Sequence, residues 1–224
     1  MTTRVATVVL VLVSIRCTGM AATYEKVLVA ITSKPDTSAI HGTGFIVGPR
    51  GLIVTADHVI CRPDGQLLEQ LWAIVPVDQG QPRKLRVIKR FKLDNPARDI
   101  AVLIPDSPIG PGLTVSIVSP EAGEEAVIGG FPVVLPRIEI WPLMRSGIIA
   151  SVRWKDGGAP VLVLDLPGVR GFSGSPVLVR RKGVVGVFVS MPKNRPTTDL
   201  LEVLPSDFSF AAPISAKDLE NLPD

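Results

Sequence analysis

The chain has little cysteine and no strong excess of charge of either sign. It contains two cysteines in 224 residues, and its 24 basic and 21 acidic residues leave a formal net charge of +3. A charge this small and dispersed does not form the basic surface of a nucleic-acid-binding protein. Because Cys17 lies in residues 1–22, which we predict below to be a signal peptide, Cys61 would be alone in the mature chain, which excludes an intramolecular disulfide. We therefore expect no nucleic-acid partner and no disulfide.

The N-terminus carries the pattern of a targeting signal. A positively charged start precedes the apolar run Val5 to Ile15, and small residues follow at Ala21 and Ala22. This order is typical of a signal peptide. The run is shorter than the roughly 20 residues of a spanning helix, although Arg16 leaves an uncleaved anchor as the alternative. We expect residues 1–22 to be a signal peptide and the protein to be periplasmic or secreted, with no membrane span unless the leader is retained.

Glycine and proline are abundant and separate many short apolar runs. The 20 glycines and 21 prolines in a chain that is 46% hydrophobic favour short strands and tight turns over a helical bundle. Strands are predicted at 26–32, 43–47, 52–55, 71–77, 85–91 and 99–104, and again at 126–131, 138–152 (as a hairpin), 161–165, 175–179, 183–190 and 208–212. The strand signals therefore fall into two similar halves.

The segment between the two halves carries no strand periodicity. Residues 105–123 are rich in proline and glycine and are predicted to connect two lobes. Closing each set of strands on itself removes exposed edges. We predict an all-β fold of two six-stranded antiparallel β-barrels, over residues 23–104 and 124–224, with a short C-terminal helix after Ser215.

Histidine, the side chain best suited to proton transfer near neutral pH, occurs only twice. His41 lies at the polar start of a predicted strand, where we expect a solvated residue. His58 follows the predicted strand 52–55 on a tight turn, which places it at the mouth of a lobe. His58 is therefore the better candidate for a catalytic base.

Two further segments contain side chains that could work with a histidine. Asp99 stands directly before the apolar run 100–104; alone it is more often a turn or capping residue than a catalytic one. Ser173 lies between glycines in Gly171-Phe172-Ser173-Gly174, where the backbone can turn so that successive N–H groups point at one spot. The N–H groups of Gly171 and Ser173 could then bind an oxyanion.

Three sequence blocks match a known family when they are taken together. The blocks GTGFIV to TADHVI (42–60), DIAVL (99–103) and GFSGSPV (171–177) resemble the trypsin-like serine proteases of the chymotrypsin fold, especially bacterial Deg-type envelope proteases, and we expect no PDZ module. Their order agrees with the family: Asp99 follows His58 by 41 positions, and Ser173 follows Asp99 by 74 positions. The order His, Asp, Ser also argues against an α/β-hydrolase.

The resemblance implies a serine endopeptidase that acts on a polypeptide substrate. Ser173 is then the nucleophile, His58 the general base and acid, and Asp99 its orienting partner, with an oxyanion hole at Gly171 and Ser173. It implies no metal and no organic cofactor. The family register assigns a substrate pocket to Leu166, Pro167, Gly168, Val187, Phe188, Val189, Ser190 and Met191. This set contains no acidic residue, which disfavours cleavage after Lys or Arg and suggests a small or medium apolar substrate side chain.

Some positions depart from the family pattern. Ser175 replaces the commoner second glycine, and Phe172 places a bulky ring before the nucleophile, where it could press on the site entrance. Near Val189 the family often has a serine or threonine that supports the catalytic carboxylate, but this chain offers Ser190 one position later.

Two other functions fit parts of the sequence. The first is a catalytically silent or latent protease-like domain that binds peptides or proteins. The second is a Cys61-based peptidase or thiol redox protein, because Cys61 follows His58 by three positions; a buried apolar role is the more common one for a free cysteine. The sequence carries no signal for an oligomeric state.

Overall fold

Two closed antiparallel β-barrels make up the fold of the computed structural model. The structure describes residues 24–76, 81–94, 98–133, 141–156, 159–189, 208–220 and 222. Each barrel contains six strands, which confirms the predicted fold class. Among the described residues, no helix is long and apolar enough to cross a membrane.

The first barrel is built from the N-terminal half of the chain. Its strands are β1 (Leu28–Thr32), β2 (Ile40–Val47), β3 (Leu52–Thr55), β4 (Trp72–Ile74), β5 (Pro82–Arg90) and β6 (Ala101–Pro105). They follow one another around the barrel in the order β1, β2, β3, β6, β5, β4. The tight turn between β2 and β3 uses Gly48 and Gly51 at φ values of 63° and 65°, a conformation that glycine adopts without steric cost. This turn sets the start of the strand that leads to His58.

The second barrel repeats this arrangement. Its strands are β7 (Glu125–Gly130), β8 (Leu143–Asp156), β9 (Ala159–Asp165), β10 (Pro176–Val179), β11 (Gly183–Val189) and β12 (Phe208–Pro213). Their order around the barrel is β10, β11, β12, β9, β8, β7. The predicted hairpin within 138–152 is wrong: β8 is one strand from Leu143 to Asp156, and it pairs with β7 on one side and β9 on the other.

The helical elements whose bounds lie within the described residues are all short turns. They are one α-helical turn (Phe91–Asp94) and the 3₁₀ turns Thr37–Ala39, Asp57–Ile60 and Ala216–Leu219. The C-terminal helix predicted after Ser215 is such a 3₁₀ turn, capped by reciprocal contacts between Ser215 and Asp218. The turn Asp57–Ile60 follows β3 directly and carries His58.

The barrels share part of their hydrophobic core. Branched aliphatic residues fill both, and all five residues of β1 are buried. The first core extends into the second half of the chain, because Phe131, Leu178 and Val187 pack with it. A second cluster, which includes Ile128, Ile149 and Phe172, fills the interior of the second barrel.

The connector contacts both barrels. Leu113 forms a bridge with Val47 of β2, and Val115 forms one with Val184 of β11. Gly112 passes so close to β2 that a Cβ on it would lie 2.2 Å from the Ile46 carbonyl carbon. The connector therefore ties the two barrels together on one side of the molecule.

Candidate active site

His58 and Asp99 meet at the edge of the first barrel. The turn after β3 carries His58, and the segment before β6 carries Asp99; β3 and β6 are paired neighbours. His58 Nδ1 lies 2.6 Å from Asp99 Oδ2, and the backbone N–H of His58 donates to Asp99 Oδ1 at 3.0 Å. Two contacts from one carboxylate therefore fix both the imidazole ring and the backbone that carries it.

The charge of Asp99 is favoured by its surroundings. Burial of Asp99 on its own would raise the pKa of this carboxyl, but the side-chain hydrogen bond with His58 and the charges of His58 and Lys92 lower it further than burial raises it. The net effect holds the pKa of Asp99 below its ordinary value. The His58 side chain is 39% exposed, so its other ring nitrogen can face a substrate.

Ser173 lies on a loop whose shape depends on glycine. Gly171 and Gly174 have φ values of 101° and 89°, in the region that favours glycine. A Cβ on Gly174 would lie 2.0 Å from the Thr43 carbonyl oxygen, so the loop is pressed against the first barrel there. Within the described part of the chain, the N–H groups of Gly171 and Ser173 donate to no backbone carbonyl. The oxyanion hole at these two groups stays a prediction.

Thr43 joins the loop of residues 171–174, which we call the nucleophile loop after the predicted role of Ser173, to the first barrel. Its N–H donates to Ser173 O at 2.8 Å, and its hydroxyl donates to Gly171 O at 2.8 Å. The same hydroxyl accepts from the Phe131 N–H at 3.0 Å. Thr55, at the end of β3, donates its hydroxyl to Thr43 O at 2.6 Å. The sequence block GTGFIV thus contains a residue that bridges both barrels, a role that the motif alone did not reveal.

The nucleophile loop and the His58 turn lie on either side of Gly42. A Cβ on Gly42 would lie 2.7 Å from Val59 Cγ2 and 2.8 Å from Ser173 O. The structure therefore brings the backbone of Ser173 close to the turn that carries His58, at the junction between the barrels. Among the described residues, Ser173 Oγ forms no hydrogen bond with His58. Such bonds are often long without substrate and shorten in the complex.

The residues assigned to a substrate pocket have different surroundings. Leu166, Val187 and Phe188 are buried, Pro167 and Val189 are partly buried, and Gly168 is exposed. Ser190 and Met191 lie outside the described residues.

The departures from the family pattern have clear consequences in the structure. Phe172 is fully buried in the second core, so its ring does not press on the site entrance as predicted. Val189 belongs to β11 and pairs with Phe210. Ser175 Oγ is buried and has no hydrogen-bond partner among the described residues.

Cys61 contacts a buried ion pair between Arg90 and Asp57, next to the turn that carries His58. Arg90 donates to both carboxylate oxygens of Asp57, at 2.6 and 2.8 Å, and to Cys61 Sγ at 3.0 Å. Burial and the charge of Asp57 raise the pKa of the Cys61 thiol, which favours the unreactive protonated form. His41 is exposed and lies 2.8 Å from Ser33 Oγ. Among the described residues, Cys61 Sγ forms hydrogen bonds with Asp57 and Arg90 and with neither histidine.

We expect Arg90→Gln to lower the free energy of unfolding by about 3 kcal/mol, because it leaves the buried Asp57 carboxylate without its partner. The measurement is urea unfolding followed by tryptophan fluorescence. Arg62→Gln is the matched control: Arg62 pairs with the exposed Glu69, and its loss should cost less than about 1 kcal/mol. Equal midpoints for the two variants would contradict this role for Arg90.

The comparisons with known proteins identify the family of the chain. The sequence profile of the trypsin-like peptidase domain matches residues 42–187. The chain belongs to the trypsin-like peptidase family. This family is one of serine-type endopeptidases, so the resemblance drawn from the three sequence blocks is confirmed. No curated protein matches the chain.

Several solved structures share the fold. The serine endoprotease from Yersinia pestis has a TM-score of 0.61 and 22% identity, over 86% of this chain and 60% of that one. The MamO protease domain from Magnetospirillum magneticum, in its apo form, has a TM-score of 0.66 and 18% identity, over 91% of this chain and 100% of that one. The HtrA-type protease AlgW with a tripeptide has a TM-score of 0.61 and 16% identity, over 86% of this chain and 58% of that one. This chain thus spans about three fifths of two of these proteins.

Proposed function

We propose that this member of the trypsin-like peptidase family is an exported endopeptidase that hydrolyses peptide bonds through an acyl-enzyme formed on Ser173. The observation that carries the proposal is the double contact between Asp99 and His58, at 2.6 Å to Nδ1 and 3.0 Å to the backbone N–H. With Nδ1–H donating to Asp99, Nε2 carries the lone pair that can accept a proton.

In the first half-reaction, Ser173 Oγ attacks the substrate carbonyl carbon, and His58 Nε2 takes the serine proton. The N–H groups of Gly171 and Ser173 bind the resulting oxyanion. The carbon–nitrogen bond then breaks, and His58 returns the proton to the leaving amine. Asp99 remains ionised throughout, since its lowered pKa favours the carboxylate beside an imidazolium.

In the second half-reaction, water replaces the amine and attacks the acyl carbon. His58 takes a proton from the water and gives it to Ser173 Oγ as the ester bond breaks. The products are two peptides, and the enzyme returns to its starting state. None of these steps requires a metal or an organic cofactor. Export rests on the N-terminal signal pattern.

The second candidate function is a latent or silent domain that binds peptides. The observation that favours it is the missing hydrogen bond between Ser173 Oγ and His58 within the described ranges. In that case the serine would not be activated, although the peptide-binding surface could remain.

A fluorophosphonate probe separates these functions. The folded wild-type protein should be labelled on Ser173, because the probe reacts only with an activated serine. Ser173→Ala should lose the label, whereas Cys61→Ala should keep it, which also tests the cysteine-based alternative. Absence of label on the folded wild-type protein would favour the binding domain.

A further inference from the structure

Arg145 lies on the inner face of the second barrel. Side chains alternate between the two faces along a strand, and the pairing of β7 with β8 is regular from Leu143 to Ile148. Arg145 therefore shares a face with Ile149, which is fully buried. It also pairs with Ile128, which is fully buried in the same core. A cation at this position breaks the apolar pattern of the barrel interior.

The same face of β8 lies against the segment that begins the predicted substrate pocket. A Cβ on Gly147 would lie 2.3 Å from Asp165 O and 3.0 Å from Leu166 Cβ. Two residues earlier, Arg145 Nη1 donates to Pro167 O at 3.1 Å. The guanidinium is thus held at Pro167, six residues before Ser173 in the chain.

The segment 166–168, which is one wall of the predicted pocket, is also held by a second strand. Ser209 of β12 donates its buried hydroxyl to Leu166 O at 2.8 Å. Hydrogen bonds from β8 and β12 therefore hold the carbonyl groups of two successive residues, Leu166 and Pro167. A wall held from two strands can present a charged group at a defined position.

Arg145 has no carboxylate partner in the described part of the chain. Three other arginines, Arg62, Arg90 and Arg98, each pair with an aspartate or glutamate. The single hydrogen bond of Arg145 among the described residues goes to a neutral carbonyl. A partly buried cation without a counter-ion costs free energy, which a bound anion would recover. The planar guanidinium fits a carboxylate through two parallel hydrogen bonds.

We propose that Arg145 selects substrates with an acidic side chain at P1, the residue whose carbonyl is attacked. Its remaining N–H groups bind the P1 carboxylate at the base of the pocket, and glutamate reaches it better than aspartate. This inference rests on the proposed endopeptidase function. It replaces the apolar P1 side chain that the pocket sequence suggested, because Arg145 was not part of that set.

The test is a set of fluorogenic peptides that differ only at P1, with Glu, Asp, Gln, Val or Leu. For the wild-type protein, kcat/KM should be about 10- to 100-fold higher for Glu than for the isosteric Gln, the effect of one charge-assisted contact. Arg145→Gln should bring this ratio close to one, and Arg145→Lys should keep part of it. Arg180→Gln, which removes an exposed cation, should keep the wild-type ratio.

Each outcome decides the inference. A wild-type protein that prefers Val or Leu while Ser173 is labelled by the fluorophosphonate overturns the acidic preference and leaves the endopeptidase intact. This ranking needs no variant, so it holds even where Arg145→Gln fails to fold. A folded Arg145→Gln protein that still prefers Glu overturns the role of Arg145. No hydrolysis and no labelling overturns the endopeptidase itself, and the acidic preference with it.

Discussion

Ser173→Ala is expected to lower kcat for peptide hydrolysis by about 10⁶-fold. A loss of about this size is expected when a nucleophile that acts together with its general base is removed. The reason is that the loop from Gly171 to Gly174 carries no other hydroxyl, so the proposed mechanism has no substitute nucleophile beside the predicted oxyanion hole. The residual rate would come from the oxyanion site and from substrate binding. The measurement is the single-turnover rate on the peptide with the highest wild-type kcat/KM.

Ser175→Ala is the matched control for this loss. Ser175 lies two positions further along the same loop, and its buried hydroxyl has no partner among the described residues. Its removal leaves no unpaired group behind, so activity should stay within about 3-fold and stability should not fall. Comparable rates for Ser173→Ala and the wild-type protein would show that Ser173 is not the nucleophile.

Asp99→Asn is expected to lower kcat by about 10⁴-fold at neutral pH, with a smaller change in KM. An amide at this position can no longer accept both hydrogen bonds from His58, one from the ring and one from the backbone. The imidazole then loses its fixed tautomer, and the imidazolium loses its counter-charge. Asp106→Asn removes an exposed aspartate just beyond β6 and should leave kcat unchanged.

The same variant also changes the response of stability to acid. The folded-state pKa of Asp99 lies below its ordinary value, so this carboxylate stabilises the fold above the unfolded-state pKa. That contribution is lost as the pH falls through the folded-state pKa. Melting temperatures of Asp99→Asn should therefore fall less between neutral and acidic pH than those of the wild-type protein. An equal fall in both proteins would contradict the interaction of Asp99 with His58.

The sequence was sufficient for the elements whose signal is local. Short branched-aliphatic runs between glycine and proline turns predicted two sets of six strands, and the motif blocks named His58, Asp99 and Ser173. Each block keeps its residues within a few positions of a strand end. Because both sets of strands close into barrels, these strand ends come close to one another at the junction between the barrels.

The features that sequence reasoning missed depend on contacts between distant segments. Arg90 and Asp57 are 33 residues apart, and Thr43 and Gly171 are 128 residues apart. Nothing in either local sequence distinguishes these residues from an ordinary strand or turn residue. Their roles follow from barrel closure, which places the end of β5 behind the His58 turn and β2 against the nucleophile loop.

Arg145 was missed because the pocket residues were taken from the family register, which did not include it. The predicted hairpin within 138–152 also gave no continuous alternation of side chains across this position. In one continuous strand, Arg145 shares the parity of the buried Ile149. That parity was the signal in the sequence that could have found it.

The most direct test of the catalytic account is a crystal structure of the protein after reaction with a peptidyl phosphonate. We predict a covalent bond from Ser173 Oγ to phosphorus, with His58 Nε2 at roughly 2.6 to 3.2 Å from Oγ. One phosphonyl oxygen should accept hydrogen bonds from the N–H groups of Gly171 and Ser173. An unmodified Ser173 that points away from His58, in a fully folded protein, would contradict the account.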